Sequence, residues 1–207
     1  MSFVSDDFVL FFLVVCIGYF AIPYRFRWGL LLGSSIFFYA YWRIDYLLLF
    51  VFVIAVNYLC ALLISRTANE HKTLRRLLLG IALSASLGTL FVFKYFNFFI
   101  EPFNDLLAQF GVNNQIRILN ILLPVGISFY TFQAFAYTID VYRRTIPAER
   151  HFGIFATFIA FFPQLVAGPI ERASHLLPQF RQEKKFNYAG AVNGLQIKVY
   201  PIVKTAK

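Results

Sequence analysis

Six apolar runs lie along a chain of only 207 residues. Each is close to the length that a bilayer demands of a helix. They occupy 8–22, 28–42, 46–64, 77–99, 119–139 and 152–170, separated by short polar segments. A helix needs about 20 apolar residues to cross roughly 30 Å of hydrocarbon. By that measure the first two runs are short and the third and fourth are full length. The chain is 59% hydrophobic and 20% aromatic, and only 14% charged. A soluble domain of this size has too little interior for so much apolar surface, whereas lipid accepts it as an outer face. The expected fold is an all-α, multi-pass integral membrane protein whose first partner is the lipid bilayer.

The net charge is +9. Because the basic residues fall between apolar runs, they read as topology signals and headgroup contacts, and nucleic acid is not an expected partner. The segments around Arg25 and Arg27, 65–76 and 140–151 carry two, four and three Lys+Arg, whereas 43–45 and 100–118 carry one each. This alternation predicts five crossing helices with the N-terminus outside. The stretch after the sixth run, with Arg172, Arg181, Lys184 and Lys185, is as basic as the inside loops. The sixth run is therefore expected to be re-entrant or broken, turning at Pro163, Gly168 and Pro169, in an incomplete bundle.

Between the fourth and fifth runs, Phe103, Leu106, Leu107 and Phe110 share a helical face, which predicts a short amphipathic helix at the membrane surface. Cys16 and Cys60 sit inside apolar runs and read as small packing residues, not a disulfide or metal pair. Asp6 and Asp7 precede the first run without a basic n-region or a cleavage site, so that run is expected to be retained. The three histidines, His71, His151 and His175, lie in polar segments, and no metal-ligand spacing is present.

The fifth and sixth runs carry residues that a plain anchor does not need. Pro124 and Gly126 loosen the backbone at the start of one, and Pro163, Gly168 and Pro169 do so in the other. Ser128, Tyr130, Thr131 and Gln133 can supply hydrogen bonds inside a bundle, either as helix-packing glue or as the lining of a polar cavity. Gln164, Asp140, Glu171 and Arg172 join them as cavity-lining candidates. Asp140 has a local pairing with Arg143 and Arg144 as its plainer alternative.

These residues also carry a resemblance. LPVGISFYTFQ at 123–133, YTIDVYR at 137–143 and FFPQLVAGPI at 161–170 resemble signatures of the membrane-bound O-acyltransferase family. The likeness is to its bacterial branch of alginate O-acetyltransferases and D-alanyl transfer proteins, and it covers 1–195, leaving 196–207 as a divergent or truncated tail. The resemblance implies a cytoplasmic-membrane enzyme that moves an acyl group from acetyl-CoA or an acyl carrier to an exported polysaccharide, together with periplasmic acetylation partners. D-alanyl transfer to teichoic acid, or a non-catalytic scaffold or channel, are the alternatives. No cofactor is expected to stay bound. The family's essential histidine matches none of the three histidines here, so no catalytic residue is assigned. Family members are about twice as long, so the chain is expected to be an N-terminal portion, inactive by itself.

Overall fold

The computed structural model describes residues 6–110, 124, 126–167, 171–184 and 188. The described elements are helical: α1 (Asp6–Ala21), α2 (Arg27–Trp42), α3 (Leu47–Arg66), α4 (Lys72–Leu90), α5 (Phe96–Gln109), α6 (Ile127–Tyr142), α7 (Phe152–Ala160), α8 (Phe162–Ala167) and α9 (Ala173–Phe180). Single 3-10 turns at Tyr24–Phe26 and Ile44–Tyr46 lead into α2 and α3. No strand occurs among the described residues. Among the described residues, two continuous helical stretches are long and apolar enough to cross a membrane, Ile44–Arg66 and Lys72–Tyr95.

The fourth and fifth runs differ from the sequence expectation. The fourth run is not a single α-helix separate from the amphipathic one. It passes through a π turn at Phe91–Tyr95 directly into α5, so the amphipathic segment begins at Phe96. No residue between them breaks the helix, and the π turn carries the chain from one helix into the next. Within the fifth run, the described helix α6 begins at Ile127, directly after Gly126, which adopts a left-handed conformation with φ of 71°. A Cβ at Gly126 would also lie 3.2 Å from the Leu165 carbonyl oxygen, so this close approach favours glycine twice over. The sixth run, expected to be broken, is split at Phe161 into α7 and α8, two residues ahead of Pro163. Residues 119–123, Gly168, Pro169 and the 196–207 tail lie outside the described residues.

The core lies where α3, α4 and α6 pack together, with α7 closing one side. Phe50, Val53, Ala61, Ile64, Tyr130, Tyr137, Phe155 and Phe158 are among its most buried members. Asn57 crosses it at the centre. Its amide nitrogen donates to the Val53 carbonyl at 2.9 Å and to Ser86 Oγ at 2.8 Å, and its oxygen lies 2.9 Å from Thr138 Oγ1. One buried amide thus ties three helices together. On the other side α2 packs on α7, where Gly153 lets the Trp28 ring lie flat on the backbone; a Cβ there would come within 2.2 Å of the ring. α1 lies outermost against α2, with Leu10, Val14 and Ile17 more than 60% exposed.

Candidate functional site

The break between α7 and α8 gathers the polar groups of the last two runs. In an unbroken helix the Phe162 N–H would bond the Phe158 carbonyl, four residues back. Phe161 instead takes φ −53° and ψ 101°, and the two groups part. Phe162 N donates to Ser35 Oγ of α2 at 3.2 Å, and Phe158 O accepts from Gln133 Nε2 of α6 at 3.0 Å. Ser35 in turn donates to the Leu31 carbonyl at 2.7 Å. Pro163 helps keep the break open, since it offers no N–H to the preceding turn. Both freed backbone groups are therefore satisfied by buried side chains from two neighbouring helices, as apolar surroundings require. Gln133 Nε2 also lies 3.5 Å from Gln164 Oε1, while Gln133 Oε1 has no hydrogen-bond partner among the described residues.

The other candidates spread over three places. Tyr130 is enclosed by aromatic rings, edge-on to Phe50 at 4.8 Å between centroids. The Thr131 hydroxyl turns back onto its own helix, towards the carbonyls of Ile127 and Ser128. Ser128 is half-buried at the start of α6 and accepts from Lys94 Nζ of the π turn at 3.3 Å. Asp140 lies near the opposite end of α6, where its backbone carbonyl receives Thr145 N and Oγ1. Pro124 is buried, and its carbonyl accepts from Ile127 N at 3.2 Å. Arg172 is exposed at the start of α9. Gln164 and Glu171 do come together with His175. They line a cavity of about 280 Å³ with Phe161 and Pro163, and His175 Nδ1 lies 3.2 Å from Glu171 Oε2.

A second polar cluster anchors α9. Glu149 is buried beside a cavity of about 580 Å³ and receives both guanidinium edges of Arg181, with Arg181 Nε at 3.1 Å from Oε2. The backbone N–H of His151 adds a bond at 2.8 Å, and Glu149's own N–H donates to Tyr137 Oη at 2.7 Å. Burial alone would raise the Glu149 carboxyl's pKa. The Arg181 hydrogen bonds, the His151 amide and the Arg181 charge outweigh burial and hold it below the ordinary value. The same bonds push the Arg181 guanidinium up. Arg27 donates to the Lys184 carbonyl at 2.7 Å, Tyr24 donates to the Arg181 carbonyl, and Arg75 donates to the Tyr142 carbonyl at 2.6 Å. All four basic segments therefore meet at one end of the bundle. At the other end Tyr46 packs edge-on to Phe93, beside the Lys94–Ser128 contact.

Ser35, Glu149 and Trp28 escaped the sequence reading. Ser35 is a hydroxyl within an apolar run, and Glu149 is an acid in a basic loop; those were the available signals. His151 caps α7 through Nδ1, which accepts from Ile154 N at 3.3 Å, with its ring against Trp28. Among the described residues no three His, Cys, Asp or Glu side chains come together as metal ligands would.

Similarity to known proteins bears on what this arrangement belongs to. The chain is 42% identical over 182 residues to a Pseudomonas aeruginosa protein named "probable alginate O-acetylase AlgI", covering 87% of this chain and 34% of the relative. It is 43% identical, over the same share of the chain, to the protein of that name from Azotobacter vinelandii. The chain is homologous to the alginate O-acetylases. A Helicobacter pylori peptidoglycan O-acetyltransferase is 35% identical over 190 residues, 79% of this chain and 35% of that protein. The O-acyltransferase resemblance of the motifs at 123–133, 137–143 and 161–170 is thereby borne out. The chain spans about a third of the length of these relatives. No protein-family profile matches it, and no solved structure does.

Proposed function

We propose that this chain forms part of a membrane O-acetyltransferase that esterifies hydroxyls of an exported, alginate-like polysaccharide. The observation that carries this reading is homology, over most of the chain, to proteins named for O-acetylation of two different glycans. Both acceptors present sugar hydroxyls, so the shared chemistry is acetyl transfer to a glycan oxygen. The acetyl donor in this reading is acetyl-CoA or an acyl carrier, and periplasmic partners handle the product.

The proposed setting is a bacterial cytoplasmic membrane, with five helices crossing, the N-terminus outside and α7–α8–α9 re-entrant. α7 has nine residues, which rise only about 14 Å. The bonds from Arg181 and Lys184 to Glu149, Tyr24 and Arg27 support the return of α9 to the side on which α7 starts. In this arrangement Gln133, Gln164, Glu171 and the residues around them form the polar wall of a larger cavity that the remaining length of the relatives completes. His151 spends its Nδ1 capping α7, and the general base is assigned to no histidine of this chain.

The test is acetylation of exported polysaccharide in cells lacking their own enzyme. The chain is expressed alone, then with the remaining two-thirds of a relative. Acetyl ester is expected only in the second case. Ester made by the chain alone overturns its dependence on the rest. No ester in either case, with both pieces in the membrane, overturns the acetyltransferase assignment.

A further inference from the structure

A groove runs along the outer side of the bundle between α1 and α9, enclosing about 280 Å³. Phe12, Cys16 and Tyr19 form one wall and Phe161, Leu176 and Phe180 the other. Its cationic end is at the basic face. Lys184 lines the groove and is exposed, and the Arg27 guanidinium lies 4.9 Å from the centre of the Tyr19 ring and 5.8 Å from that of Phe20, both of which line it. The bond from the Arg27 guanidinium to the Lys184 carbonyl sets the two basic residues side by side. Arg25 is exposed nearby; the exposed carboxylate of Glu183 is the adjacent opposing charge, and Arg181 is committed to Glu149.

We propose that this groove binds one acyl chain of an anionic phospholipid, with the phosphate between Arg27 and Lys184. The inference rests on the membrane reading above and goes beyond the acetyl-transfer chemistry. Two features select this occupant. The walls are almost wholly apolar and aromatic, which suits a hydrocarbon tail. The cations stand at one end only, the end that carries the basic segments, where an anionic headgroup would lie. α1 is also the outermost helix, with Leu10, Val14 and Ile17 facing outward, so a tail can enter sideways from the bilayer.

The experiment places the chain in phosphatidylcholine vesicles with a trace of lipid carrying a diazirine in its acyl chain. The tracer is either phosphatidylglycerol or phosphatidylcholine, and crosslinked peptides are identified by mass spectrometry. Crosslinks from the phosphatidylglycerol tracer are expected on peptides covering 12–20 and 161–180, several-fold above those from phosphatidylcholine. Lys184→Glu, at an exposed position, should bring the two tracers to the same yield. Cys16→Trp, which fills the groove, should lower both. Equal yields from both tracers in the unaltered protein, or a phosphatidylglycerol yield unchanged by Lys184→Glu, overturn the lipid site. So does loss of these crosslinks when the remaining two-thirds of a relative is co-expressed, which would give the groove to another helix. A chain that does not enter vesicles at all overturns the membrane reading instead, and the two failures are distinct.

Discussion

Asn57 shows how much one side chain can organise in an apolar bundle. Its two amide protons and its oxygen each find a partner, on α3 itself, α4 and α6. Replacing it with leucine removes the donor to Ser86 and the acceptor for Thr138, although Thr138 keeps the Ala134 carbonyl at 3.1 Å. Hydrogen bonds between helices in membranes contribute about 0.6 kcal/mol on average and up to about 1.7. Asn57→Leu is expected to lower stability by about 1–2 kcal/mol in a reversible detergent unfolding titration, with Ser86→Ala less severe. At the other polar centre, Glu149 gives the stability a pH dependence. Its folded pKa is depressed, so its contribution is fully present above the ordinary glutamate value of about 4.3 and is lost as pH falls through the depressed value. A melting-temperature series from neutral to acid pH should show that loss in the unaltered protein. Glu149→Gln should begin from a lower melting temperature at neutral pH and show a smaller acid-side fall.

At the scale of elements, the α7–α8 break is held by side chains from outside it. Ser35 accepts from the N–H, and Gln133 donates to the C=O, that a continuous helix would have joined to each other. Leaving one such buried group without a partner costs about 1–3 kcal/mol. Ser35→Ala and Gln133→Leu should each destabilise by about that amount. If the double variant lets Phe162 N and Phe158 O rejoin, its loss should be smaller than the sum of the two, a coupling that a double-mutant cycle measures directly. Additive losses would mean that the break persists without its partners. The break itself was legible from Pro163 in an apolar run, and so was the polar character of Gln133. Which backbone group Gln133 would serve was not, because that depends on α6 lying beside α7, a contact 25 residues apart in sequence. Ser35 was invisible for the same reason: a single serine in an apolar run has no meaning until the facing helix is placed. The left-handed turn at Gly126, just before α6, was not legible, because apolar composition does not report a backbone conformation.

Across the whole molecule, charge and geometry carry the same message by independent routes. The sequence assigned one side to the basic segments by counting Lys and Arg. The folded chain joins those segments through Arg75–Tyr142, Tyr24–Arg181, Arg27–Lys184 and Glu149–Arg181. These bonds fix which ends of the helices are neighbours without reference to charge. If a bilayer surrounds the bundle, residues near these contacts must share one aqueous compartment, and the turn at Ile44 must face the other. Cysteine accessibility reads this out in a background of Cys16→Ser and Cys60→Ala. Single cysteines replace Ala68, Gln182 and Ile44, all of them exposed. In intact cells a membrane-impermeant maleimide should label Ile44→Cys, and should label Ala68→Cys and Gln182→Cys only after the membrane is opened. Labelling of Gln182→Cys together with Ile44→Cys would mean that the sixth run crosses completely. That result would conflict with the Arg181–Glu149 clamp, and Glu149→Gln would then leave stability unchanged.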